Sequence, residues 1–96
     1  MHMRPQERFL AYGAAALTNE ELLALILRSG TKDASVTDVA RAIIEKFERV
    51  QQLKEATMQE LTTITGIGQM KALQLLAAIE LGKRISSKAD MTRYSI

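Results

Sequence analysis

The sequence predicts an all-α fold, a compact bundle of helices, on three observations. Apolar residues recur at helical spacing, and the strict alternation of a half-buried strand is absent. Ala, Leu, Glu, Lys and Gln, all good helix formers, dominate the helical stretches. Helix-start and helix-stop residues then punctuate the chain from end to end.

A first helix starts near Pro5, because proline suits a first turn, and stops at Gly13, a natural left-handed cap. Thr18-Asn19-Glu20-Glu21 is a capping-box pattern, in which Thr18 caps and Glu21 reaches back. It opens a helix that is apolar on most sides (Leu22, Leu23, Leu25, Ile26, Leu27) and is therefore central. Glu20 and Glu21 are read as capping and dipole residues rather than as an acid–base pair.

Ser29 to Asp33 breaks that helix. Ser35 caps the next one, with Asp38 placed to reach back, and Val36, Val39, Ala40, Ile43, Ile44 and Phe47 form one core-facing stripe. A short helix is expected over Val50–Ala56. Thr57-Met58-Gln59-Glu60 is a second capping box and begins a short helix carrying Leu61 and Ile64. After a glycine turn, Ala72, Leu75, Leu76 and Ile79 line the buried face of a long helix running toward Arg84. The helical domain is thus expected over residues 1–85, and the polar stretch 86–96 is read as a linker.

Composition narrows the function classes. The chain has 96 residues, enough for one small core. It has no cysteine and one histidine, His2, so disulfides, thiolate metal sites and a nucleophile–histidine pair have nothing to be built from. No metal ligand set, cofactor or catalytic constellation is expected, and so no enzyme. Apolar runs fall short of a membrane span and no signal peptide is visible, which points to a cytoplasmic protein. Formal charge is +2, and its excess is local. Residues 1–56 hold eight Lys/Arg and eight Asp/Glu, whereas residues 57–88 hold Lys71, Lys83, Arg84 and Lys88 against Glu60 and Glu80. A solvated helix face and a nucleic-acid footprint fit so small an excess equally well.

The excess surrounds the stretch Ile64-Thr65-Gly66-Ile67-Gly68-Gln69-Met70-Lys71-Ala72. Reversal between two helices within a few residues needs backbone angles that glycine supplies. Glycine also removes the Cβ atoms that would hold another molecule off the backbone. The first amides of the following helix lack intrahelical partners, and together with the helix dipole they form an anion site. Lys71 lies in the first turn, where a cation works against that dipole, so a negative partner is expected nearby. No G-x-x-x-x-G-K-[ST] loop is present, and a dinucleotide fingerprint fails because its third glycine would fall on Lys71 and its preceding strand is missing.

Leu61-x-x-Ile64-Thr65-Gly66-Ile67-Gly68-x-x-x-Ala72-x-x-Leu75 resembles the helix-hairpin-helix motif of non-specific DNA-binding proteins. The resemblance implies that Gly66, Ile67, Gly68, Gln69, Met70 and Lys71 present backbone amides to a DNA phosphate. It also implies that Ile67 anchors the hairpin and that Ala72 lets the helices approach. Thr65 departs from a position where proline is common, which bears on turn rigidity. A wider resemblance runs from about Arg4 to Arg84. Arg4-Pro5-x-Glu7-Arg8 with Gly13, Leu17-x-x-Glu20-Glu21-Leu22-Leu23-Ala24 and Leu27-Arg28-Ser29-Gly30-Thr31-Lys32 are similar to the N-terminal region of the RadC (UPF0758) family. These bacterial proteins are also labelled DNA repair proteins.

That resemblance implies a five-helix bundle of helix-hairpin-helix type and, beyond residue 86, a junction to a JAB/MPN-type zinc domain whose ligands this sequence lacks. The first half, with its break at Ser29-Gly30-Thr31, is a candidate degenerate partner hairpin. Asp33 would repel phosphate there, so that turn is read as structural, with Lys32 as a candidate second backbone contact. None of Phe9, Tyr12, Phe47 and Tyr94 lies near the glycine turn in sequence, so a base-stacking platform is not expected. The expected function is weak, sequence-independent binding of duplex DNA, with affinity near ~10⁻⁴ M at physiological salt. The alternative is a protein–protein module that positions a C-terminal JAB/MPN domain or another partner.

Overall fold

The computed structural model describes residues 3–87. Among them lie five α-helices: α1 (Pro5–Tyr12), α2 (Asn19–Leu27), α3 (Val36–Phe47), α4 (Met58–Thr62) and α5 (Gln69–Ser86). Two 3-10 segments, Ala14–Ala16 and Val50–Glu55, sit between them. No strand occurs among the described residues; an isolated bridge joins Thr31 to Ala34. The all-α prediction is therefore met. The helix expected over Val50–Ala56 is wound more tightly than an α-helix, and the turn at Ala14–Ala16 was not anticipated. Helix α5 passes Arg84 and ends at Ser86. The linker expected over 86–96 lies, from residue 88 onward, outside the described residues, as do His2, Lys88 and Tyr94.

Side-chain caps start three helices as the sequence requires. Thr18 Oγ1 accepts from the Glu21 N–H at 3.1 Å while the Thr18 N–H donates to Glu21 Oε1 at 2.9 Å. Thr57 and Glu60 repeat the exchange at 3.1 and 3.0 Å. At α3 the expectation is half met. Ser35 Oγ accepts from the Asp38 N–H at 3.1 Å, but the Asp38 carboxylate lies 3.7 Å from Arg41 on the next turn instead of reaching back.

Helix ends are less conventional. Gly13 closes α1 with φ +88° and donates its N–H to the Phe9 carbonyl. Helices α2 and α3 instead stop at Arg28 (φ 72°) and Glu48 (φ 63°), residues that carry side chains in the left-handed half of backbone space. In each case the next amide folds back two residues, Ser29 to Leu27 and Arg49 to Phe47, closing a γ-turn. Such positions cost on the order of 1–3 kcal/mol and persist only where packing over-determines them.

The packing is contiguous. Leu23, Ala24 and Leu27 of α2, Val39, Ala40 and Ile43 of α3, and Ala72 and Leu75 of α5 form one core. Leu53, Leu61, Ile64 and Ile67 from the intervening segments join it. Helix α4 is only five residues long and is fastened by Leu61, which is fully buried. That fastening sets where the following glycine turn can lie.

Candidate anion-binding turn

The turn between α4 and α5 is built by one hydrogen bond and two glycines with different duties. The Ile67 N–H donates to the Ile64 carbonyl at 3.0 Å, and both side chains are buried, so the loop is drawn inward at these two points. Gly66 has φ +96°, and a Cβ added there would meet Val39 Cγ2 at 2.6 Å. It is glycine because the chain reverses and because α3 comes against it. Gly68 has ordinary extended angles (φ −93°, ψ −170°) and precedes α5 as its cap. A Cβ there would meet nothing within 4 Å. Neither folding strain nor crowding explains the missing side chain.

The first intrahelical bond of α5 runs from the Ala72 N–H to the Gly68 carbonyl at 3.0 Å. Among the described residues, no protein acceptor takes the N–H groups of Gly66, Gly68, Gln69, Met70 or Lys71. Gly68, Gln69 and Met70 are exposed. These N–H groups cap the positive end of an 18-residue helix. Of the six predicted contacts, Ile67 stands apart: its amide is committed to Ile64 and its side chain to the core, which makes it the anchor of the turn.

The Lys71 side chain turns inward, to a neutral backbone carbonyl rather than to a negative partner. Its Nζ donates to the Leu27 carbonyl at 2.8 Å, and Gln74 Nε2 donates to the carbonyl of Ile26. Two side chains of α5 thus reach carbonyls at the C-terminal end of α2, that of Leu27 already accepting from the Ser29 N–H, and a cation there is also favoured by the dipole. These partners lie 44 and 48 positions apart in sequence, and no local pattern announces them. The ammonium of Lys71 positions the helix that carries the exposed amides.

The turn between α2 and α3 has a different construction. Thr31 and Ala34 exchange backbone hydrogen bonds at 2.8 and 3.3 Å, and Thr31 Oγ1 accepts from the Asp33 N–H at 3.2 Å. A Cβ at Gly30 would fall 2.6 Å from the Val36 nitrogen, so close backbone approach requires that glycine. This turn is thus closed on itself by three hydrogen bonds, and Lys32 stands exposed within it. Among the described residues, no group of three or more His, Cys, Asp or Glu comes together in a way that could hold a metal ion. No described helix is long and apolar enough to cross a membrane.

The profile of the family described as UPF0758 N-terminal matches residues 1–73. The UPF0758 protein of Geobacillus thermodenitrificans is 50% identical over 93 residues, 97% of this chain and 41% of that protein. That of Halalkalibacterium halodurans is likewise 50% identical over 93 residues, 40% of its length. The UPF0758 protein YsxA of Bacillus subtilis is 47% identical over 96 residues, 42% of its length. The chain therefore spans about two-fifths of the relatives it matches. No solved structure gives a significant match. The motifs running from Arg4 through the glycine turn are those of a known lineage, and the chain belongs to the UPF0758 family, in its N-terminal domain.

Proposed function

We propose that this domain binds duplex DNA weakly and without sequence preference, as a non-enzymatic helix-hairpin-helix module acting in the cytoplasm. The contact is one backbone phosphate seated on the peptide N–H groups of Gly68, Gln69, Met70 and Lys71. One observation carries the reading. These N–H groups have no acceptor among the described residues, beside a glycine whose missing side chain neither angle nor crowding accounts for. An anion is the natural occupant of such a spot, and a phosphodiester reaches it because Gly68 presents no bulk. Peptide dipoles supply the attraction and no base edge is read, so sequence preference is absent.

Fluorescence anisotropy of a labelled duplex, titrated with protein at several salt concentrations, tests this. Gly68→Glu is the informative variant because the space around Gly68 accommodates the side chain and an acidic residue at a helix start is compatible with folding. The parent is expected to bind near ~10⁻⁴ M and to weaken as salt rises, with the variant at least tenfold weaker and its circular dichroism unchanged. Equal binding by both proteins would remove this turn as the contact.

A further inference from the structure

Helix α5 is apolar on two opposite sides. Ala72, Leu75, Leu76 and Ile79 face the core. Met70, Leu73, Ala77, Leu81 and Ile85 recur every three or four residues along the other side, and all five are exposed. Leu81 and Ile85 are 60% and 70% exposed. A helix apolar on both sides is ordinarily enclosed on both. Beyond Ile79 every residue through Ser86 is exposed, and only the side carrying Gly82, Lys83 and Ser86 borders another segment, across an open groove to Val50–Lys54. Local bonds brace this end of the helix, namely the Glu80–Arg84 ion pair at 3.1 Å and Ser86 Oγ donating to the Gly82 carbonyl at 3.0 Å.

We propose that the outer face of α5, centred on Leu81 and Ile85, is the seat of the C-terminal portion that the longer relatives carry after this domain. The family profile is that of an N-terminal domain, and the chain accounts for 41% of the Geobacillus protein, so the larger part of that protein follows α5. Patch size selects a tethered occupant over a second copy. Fully covered, the stripe offers on the order of 500 Å². A stable interface between separate molecules needs roughly 800 Å² from each partner. A portion tethered through the same chain meets the stripe at an effective concentration on the order of millimolar, where a small apolar contact suffices. The inference goes beyond DNA binding and does not depend on it, because Leu81 lies 13 residues, about 20 Å, along the helix from Gly68.

The test uses the longer chain, this domain followed by the C-terminal portion of its relatives, with and without Leu81→Glu and Ile85→Glu together. NMR relaxation reads the tumbling time of amides in α2 and α3. In the parent, these amides are expected to tumble with the mass of the whole chain. In the variant, their tumbling time should fall about twofold, as the smaller part moves on its own. The 96-residue chain alone should fold and bind DNA equally with or without the two glutamates. Independent tumbling in the parent, or tumbling unchanged by the variant, would overturn the proposal. So would a 96-residue chain that dimerises until the glutamates are introduced, since the occupant would then be a second copy.

Discussion

Gly66 and Gly68 stand one residue apart and answer to different demands. Gly66 is held at φ +96° with Val39 against it, so Gly66→Ala should destabilise the domain by about 1–3 kcal/mol, through backbone strain and the contact with Val39 Cγ2. Gly68→Ala, at extended angles in open space, should leave stability within about 0.5 kcal/mol of the parent. Urea unfolding followed by circular dichroism separates the two. The sequence pattern marks both positions but cannot divide their labour, since what distinguishes them is a side chain of α3. The same limit applies to Lys71. A cation in a first helical turn signals an anionic partner, whereas the ammonium rests on a neutral carbonyl 44 positions earlier, which no local pattern announces.

Among the elements, helix starts were legible and helix ends only partly so. A cap and its partner lie three residues apart, so Thr18 with Glu21 and Thr57 with Glu60 are visible in any short window. Arg28 and Glu48 end their helices at positive φ without glycine, so no residue type marks those ends. The Val50–Glu55 segment was legible as helical but not as a 3-10 turn with Leu53 buried. Helix α5 makes a prediction of its own. Gly82 lies in its exposed interior with nothing within 4 Å of a Cβ, so Gly82→Ala should stabilise the domain by about 0.5–1 kcal/mol. A higher urea midpoint with an unchanged m-value is the expected sign.

For the whole molecule, the all-α class and the order of helices were legible because α2, α3 and α5 declare apolar stripes within their own residues, while Pro5, Gly13 and the Thr57 capping box mark α1 and α4. The joining of α1 to the bundle was not. Arg8 makes that join, with its Nε 2.8 Å from Glu21 Oε2 and its Nη2 donating to the Ala16 carbonyl at 2.8 Å. The Glu21 carboxyl is held below the ordinary carboxylate range, chiefly by the hydrogen bond from the Thr18 backbone N–H; burial opposes this next, and the Arg8 charge and hydrogen bond then add to the lowering. Because the folded value is the lower one, this contribution is complete above the ordinary value near 4.5 and is lost as pH falls through the folded one. Glu21→Gln keeps a side chain able to cap but removes the charge. The gap in urea midpoint between parent and variant should therefore be widest near neutrality and close as pH falls below about 4.5.

The reach of Lys71 and Gln74 to the end of α2 has one more consequence. Neither half of this domain is a finished object: cut before α4, the first half would lose the side-chain donors that Lys71 and Gln74 bring to its Leu27 and Ile26 carbonyls, and the second would carry an amine and an amide returned to water. Two helix pairs that look like interchangeable bricks are in fact keyed to each other, and a swap of either one between distant cousins would have to bring its lock along.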